Sequence, residues 1–539
     1  MFRRASRAER RLLAAAFFCL CVGVAGRTFL PAPSLRKETV SFSDPEGRRI
    51  AATAYRAESA PGDPRGEGPM PAAVLCHGIS CSKELMNTIG RDLARHGFSV
   101  LAFDYGGHGE SDKHPQTEEM NLEDVRGAIA MARRRPEVDP KKVVLVGHSM
   151  GSTTAAMAGM MDPDVCGVVC LGKKGPGGKS RPRNLLHAFG LYDQYHTVRS
   201  MVRAIADWAG EAKVTPVASI ADVSSEQFSK PGNRALLVSP DGDHASEVYS
   251  VRMIPRIRNW LRQSVSLGPV RAAATDAYRV YFDFLMGFGA YASGLLVLGR
   301  IRSPRAMRCW ASVPACLTFA AWAWIRESDV AEPLSLALTM TYLVFSTGLY
   351  CSWKEQKGAT DWAMKWLQGL LLLWASFALG SVAGSLDQWM THWEDVLWAP
   401  VALLNIVVHR CHFVCNILRA DLFSAYSRGI IPTAAFAFLL LAEIVLPGFV
   451  WRGVGWLASM IHDRIANFRL TLRLGVRDKR AVLVLIVLVA ALAAVVWARY
   501  REGLLGASAI APAAPVLVRM YLLPLAVLVC LIRVRRRLL

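Results

Sequence analysis

Residues 143–151 read Val143-Val-Leu-Val-Gly147-His148-Ser149-Met150-Gly151. Four apolar residues, three of them β-branched, predict a strand buried on both faces of a parallel sheet. The run stops at Gly147, and the Ser-Thr-Thr-Ala-Ala-Met-Ala-Gly that follows Gly151 predicts a helix of small residues. A G-x-S-x-G pentapeptide between strand and helix reads as a nucleophile elbow. The sharp reversal strains the backbone at Ser149, and side chains at 147 and 151 would collide, which accounts for glycine at both. The serine hydroxyl is thereby held at the carboxyl edge of the sheet, beside helix amides able to hold a developing oxyanion.

Charge distribution excludes one broad class. The chain has 539 residues, 53% of them hydrophobic and 20% charged, with a net charge of +20. A basic excess of that size can indicate nucleic-acid binding. Here residues 1–37 carry +7, residues 38–268 only +1, and residues 269–539 carry +12. The excess therefore follows the hydrophobic parts, which points to a lipid bilayer and not to nucleic acid. The twelve cysteines do not pattern as a disulfide framework. A Cys76–Cys81 bridge is conceivable, but buried free thiols are the preferred reading.

Residues 1–37 hold Arg3, Arg4, Arg7, Arg10 and Arg11, then an apolar run from Leu12 to Gly26. This reads as a signal-anchor or as a cleaved signal peptide. From 38 to 268, strand and helix signals alternate as in a mostly parallel α/β sheet. Val40–Phe42 and Ile50–Tyr55 predict an opening hairpin. Further strands are expected at Ala72–Cys76, Ser99–Phe103, Val143–Val146, Val165–Leu171, Asn184–Phe189 and Ala235–Val238, with helices at 83–96, 121–135, 150–161 and 246–265. From 269 to 539 the texture changes to about eight apolar spans, the first near 281–299 and the last near 514–533, which predict an all-α polytopic transmembrane bundle. Loop charge places the α/β domain outside the cytoplasm. The basic stretch 452–480 and the basic C-terminus conflict with that order. Either one span near 396–450 is re-entrant, or 451–480 lies on the bilayer as an amphipathic helix.

Upstream of the elbow, Val74-Leu-Cys-His77-Gly78-Ile79 ends a strand, and Phe103-Asp104-Tyr-Gly-Gly107-His108-Gly109-Glu-Ser111 follows the next one. With these elements, residues 38–268 resemble the α/β-hydrolase fold, in particular its serine-aminopeptidase-like and lysophospholipase-like branch. The resemblance implies an oxyanion hole made by the N–H groups of Ile79 and Met150, with His77 and His108 structural. Gly106 stands where the family usually has arginine, which puts the bracing of that turn in doubt. The family's chain order, Ser then acid then His, implies Ser149 as nucleophile and His244 as base in Asp241-Gly-Asp243-His244. It implies Asp193 as the acid, with Asp222 as second choice. Asp241 and Asp243 read as solvated turn carboxylates, and His196 as a helix-start or surface residue. Only the loop Lys173–Arg183 occupies the place where many relatives insert a cap, so the site is expected to be open, shielded by 194–233 or by the bilayer.

Other letters weigh less. His409, Cys411, His412 and Cys415 have metal-ligand identities, but their helical spacing at a span's end favours interfacial residues. Asp283 and Glu443 are ionisable groups in or near spans. The triad letters imply a membrane-tethered serine hydrolase acting on an ester or amide bond of a small-molecule, lipid or peptide substrate, with no cofactor and no metal required. The alternative is a transporter or membrane scaffold whose hydrolase-like domain only binds.

Overall fold

The computed structural model describes residues 7–30, 34–58, 69–79, 81–112, 117–178, 180–193, 233–240, 242–272 and 275–298, with 114–115, 201 and scattered positions in 402–409. The expected spans beyond 299 (the scattered positions in 402–409 apart), the cover segment 194–233 (Met201 and Asn233 apart), and Asp222, Asp241, His196, Glu443, Cys411, His412 and Cys415 lie outside the described residues.

Eight strands form one sheet: β1 (Leu35–Ser43), β2 (Arg49–Ala57), β3 (Met70–Cys76), β4 (Ser99–Phe103), β5 (Val138–His148), β6 (Val165–Leu171), β7 (Asn184–Gly190) and β8 (Asn233–Ser239). Their order is β1-β2-β4-β3-β5-β6-β7-β8. The hairpin strands pair antiparallel, β2 is antiparallel to β4, and every other pairing is parallel. The expected strand cores all fall inside these elements.

Parallel strands need crossovers, and the helices supply them on both faces. Period-2 alternation divides each central strand between two cores. Ala73 and Leu75 of β3 face one core, together with Ile89 and Leu93 of α2 (Asn87–Arg95) and Ile257, Trp260 and Leu261 of α5 (Met253–Ser264). Ala72, Val74 and Cys76 face the other, with Val125 and Ile129 of α3 (Glu118–Arg133) and Ala155 and Ala158 of α4 (Met150–Met161). Buried on both sides, β6 has no exposed position along its whole length, which explains its unbroken apolar composition. Between α2 and α5, Arg258 Nη1 donates to both carboxylate oxygens of Asp92 at 2.9 and 3.1 Å.

Two helices flank this layer in sequence, α1 (Arg7–Phe29) and α6 (Thr275–Leu298). Residues 9–29 are the one stretch among the described residues long and apolar enough to cross a membrane. Arg27 pairs with Asp283 at 3.6 Å, and Arg279 Nη2 donates to the Leu30 carbonyl at 2.9 Å. A Cβ at Gly289 would meet the α1 backbone at Ala16 and Leu20. His409 is buried and its ring packs on Tyr249 and Tyr281, with centroids at 5.6 and 5.2 Å. His409 is thus a buried packing residue and not the interfacial one that its spacing suggested.

Candidate active site

Ser149 sits between β5 and α4 with φ 52° and ψ −111°. A non-glycine residue in that region is strained and persists only where its surroundings dictate it. Its N–H donates to the Leu171 carbonyl at 2.8 Å. The Ser152 hydroxyl lies 2.9 Å from both the Gly147 and the Leu171 carbonyls. The two glycines prove necessary for different reasons. A Cβ at 147 would overlap the Gly151 carbonyl, as expected, whereas one at 151 would strike the Cys76 carbonyl at the end of β3. Gly151 is therefore set by the neighbouring strand and not by residue 147.

The carboxyl ends of β7 and β8 carry Asp193 and His244. Gly190 closes β7, and the Asp193 N–H donates to its carbonyl at 3.1 Å. Leu191 N–H and Tyr192 N–H donate to Ser239 and Gly242 carbonyls at 2.8 and 3.0 Å, which ties the acid loop to the turn after β8. In that turn, Asp243 N–H donates to Ser246 Oγ at 2.6 Å, and Ser246 N–H donates back to Asp243 Oδ1 at 3.0 Å. The reciprocal clamp presents His244, whose Nδ1 lies 2.9 Å from Asp193 Oδ2. Asp193 as a carboxylate can only accept, so Nδ1 carries the hydrogen and Nε2 is left as the basic nitrogen. Asp243 is fully buried and part of the clamp. It is not the solvated turn carboxylate that the sequence suggested, because the β7 loop covers it.

His148 links Ser149 to His244. Its Nε2 lies 3.0 Å from the backbone carbonyl of His244, and the two rings lie 4.9 Å apart. The carbonyl can only accept, so His148 donates. Burial, then the neighbouring His244, pushes its pKa down to about 3, so it stays neutral. Ser149 and His244 are thus joined through one side chain.

The loop after β3 passes directly against the elbow. A Cβ at Gly78 would lie 3.3 Å from Ser149 Cβ. His77 Nδ1 donates to the Gly78 carbonyl at 2.7 Å while its Nε2 accepts from Tyr105 N–H at 3.1 Å. Both ring nitrogens are spent on backbone, and burial, then His108, holds the ring well below its usual pKa. His108 packs edge-on against it at 5.2 Å. Ile79, half-buried, follows in a turn, and Met150 opens α4, where its N–H has no acceptor within the helix. The structure thus brings Ser149, His244 and Asp193 to one edge of the sheet, with Met150 next to the serine in sequence and Ile79 directly after Gly78, which lies against the serine.

Three features were not legible. Lys83 is buried, with Nζ 2.6 Å from Asp104 Oδ2 and 3.0 Å from Glu110 Oε2, while its N–H donates to Asp104 Oδ1 at 2.7 Å. Burial alone would pull its pKa down, but Asp104, Glu84 and Glu110 together raise it. This cluster ties the loops after β3 and β4. At Gly106 the missing arginine is answered by a buried pair: the His114 ring fills the space a Cβ would need, and Asp124 Oδ2 takes both His114 Nε2 at 2.7 Å and the Gly106 N–H at 2.9 Å. The turn is braced by other means. The third feature is Glu247, fully buried beside Asp193.

His148, His244 and Glu247 offer ligand-type atoms within 4.8 Å of one another. Nδ1 of His244 is engaged by Asp193 and Nε2 of His148 by a carbonyl, so a cation there would have to break the links just described. Cys76, Cys166 and Cys170 are free thiols. Burial pushes the Cys76 and Cys170 thiols up to about 12, which makes them inert core residues.

The fold and the elbow define an α/β-hydrolase domain with a mostly parallel eight-stranded sheet. Residues 71–222 match the family model of the alpha/beta hydrolase fold. Among curated proteins, a thiohydrolase of Aspergillus aculeatus is 35% identical over 104 residues, covering 19% of this chain and 33% of that protein. An sn-1-specific diacylglycerol lipase of Mus musculus is 34% identical over 102 residues, covering 19% and 31%. The chain spans about a third of the length of these relatives. Among solved structures, an esterase of Pyrococcus furiosus is similar at 15% identity, covering 43% of this chain and 94% of that one, with a TM-score of 0.33.

Proposed function

We propose that this chain is a membrane-tethered serine hydrolase whose substrates are acyl esters of lipid-like molecules. The observation that carries the reading is the 2.9 Å contact between His244 and Asp193, held next to a strained serine by His148. Ser149 Oγ attacks the acyl carbonyl carbon while His244 Nε2 takes the hydroxyl proton. The carbonyl oxygen becomes an oxyanion that accepts from the N–H groups of Ile79 and Met150. Collapse breaks the bond to the leaving group, which receives the proton from His244. Water then adds to the acyl-enzyme by the same relay and releases the acid. Asp193 keeps Nδ1 protonated and stabilises the imidazolium.

Support for a lipid-like acyl group comes from the apolar α1 and from the hydrophobic composition of 269–539, which would set the site at a bilayer surface. The diacylglycerol lipase among the similar proteins agrees with it. Multi-pass insertion with the hydrolase domain outside the cytoplasm belongs to the same reading. Fluorophosphonate labelling of the full-length protein in native membranes is the test. Wild type should label and Ser149→Ala should not, and an unlabelled wild type would favour the scaffold reading instead. Ester, amide and vesicle-borne diacylglycerol substrates, with product analysis, then identify the bond cleaved.

A further inference from the structure

Glu247 lies three residues after His244, in the same clamped turn, and is fully buried. Its Oε1 accepts the Gly190 N–H at 2.6 Å. Its other oxygen is the puzzle. Among the described residues, no hydrogen-bond donor faces Oε2 if the group is a carboxylate. The nearest ion-pair candidate is His148 Nε2 at 4.0 Å, and that nitrogen donates to the His244 carbonyl and belongs to a neutral ring. The charge that bears most on Glu247 is Asp193, whose Oδ2 sits on the same Nδ1 edge of His244. A Cβ at Gly172 would touch both Glu247 Oε2 and the Nδ1 edge of His244, so the two acids converge on one side of the imidazole.

Two carboxylates cannot hydrogen bond to each other unless one holds a proton, and in a dry site like charges force that outcome. Asp193 accepts from His244 Nδ1 and must remain the anion. We propose that Glu247 is a positioning residue of this site: as a carboxylic acid it donates its proton to Asp193, leaving one negative charge beside His244. Burial, then the Asp193 charge, drives the Glu247 carboxyl well above its ordinary range. The charged and titratable groups around it are Asp193 after β7, Asp243 and His244 in its own turn, and His148 at the end of β5. From the end of β6, Gly172 lies against it.

The consequence is geometric: the shared proton leaves a single negative charge beside the ring and fixes the Asp193 carboxyl in plane. The inference rests on the triad reading above, so its test has one arm that needs no reactivity. Full-length protein carrying 13C-glutamate should show, above neutral pH, an infrared carbonyl band of a protonated carboxyl that shifts with the isotope. Absence of that band in wild type overturns the proposal, whether or not Ser149 labels. Presence of the band with no labelling would sink the triad reading alone.

The second arm is the pH profile of fluorophosphonate labelling. Glu247→Gln keeps a donor toward Asp193 and an acceptor for Gly190, so its plateau rate should stay within about threefold and its acid limb should not move. Glu247→Ala should lose about ten- to a hundredfold, the effect of removing a hydrogen bond to a charged group. An acid limb displaced to lower pH in Glu247→Gln would mean that the wild-type residue is ionised, and would overturn the proposal. A loss in Glu247→Gln as large as in Glu247→Ala would also overturn it. If Glu247→Gln fails to fold, the isotope-edited band of the wild type decides.

Discussion

At Ser149 the backbone is held at φ 52° by contacts that leave no room for change. Alanine at 147 or 151 would press a methyl into main-chain carbonyls, which cannot rotate away. Each substitution should cost about 1–3 kcal/mol or more and abolish labelling, readable as a fall in thermal midpoint together with loss of probe signal. Asp193→Asn presents an amide where His244 Nδ1 needs an acceptor and favours the wrong tautomer. It should lower the turnover rate by about 10⁴ while the protein stays folded. The place of Ser149 was legible from its strand end, and those of His244 and Asp193 from the chain order that the resemblance implies. Lys83 and Glu247 were not, since Lys and Glu are almost always solvated and nothing local shows that each will meet carboxylates from other loops.

Among the elements, α2 and α5 meet through a buried ion pair. Arg258→Met leaves Asp92 without its partner in a position from which water is excluded. The loss should be about 3–5 kcal/mol, seen as a lowered thermal midpoint of the full-length protein in detergent. Where α1 and α6 meet, leucine at Gly289 would push into the α1 backbone, and the same measurement should report a destabilisation. The strand cores and the positions of the helices were readable from the sequence pattern. The buried Arg258 was not, because its apolar neighbours along α5 say only that the helix is amphipathic. Its partner lies in α2, 166 positions away.

For the whole molecule, pH dependence follows from the histidines. His148 and His187 are buried, and burial pushes each down to about 3 from an ordinary 6.5. The unfolded chain therefore binds protons that the folded one refuses, so their contribution is complete above about 6.5 and is lost as pH falls towards 3. Asp92 runs the other way: burial lifts it to about 6 despite Arg258, so its folded form gains from acidification. Two histidines at about 2 kcal/mol each near pH 5 outweigh it. The thermal midpoint should drop between about pH 7 and about pH 5, and His187→Leu should remove part of that drop.

From the order of its letters alone, this chain determines an alternating α/β layer, an elbow serine and the loops that end the neighbouring strands. Those follow from local rules: a period of two, glycine where backbones touch, and short connections at one sheet edge. Proximity between distant loops was decided only in three dimensions. The sheet order sets the β7 and β8 ends side by side, and that adjacency joins Asp193 to His244, buries Asp243 and turns Glu247 toward a second acid. Burial then changes what a carboxyl or an amine can be, because water that would solvate its charge is gone and only named neighbours remain.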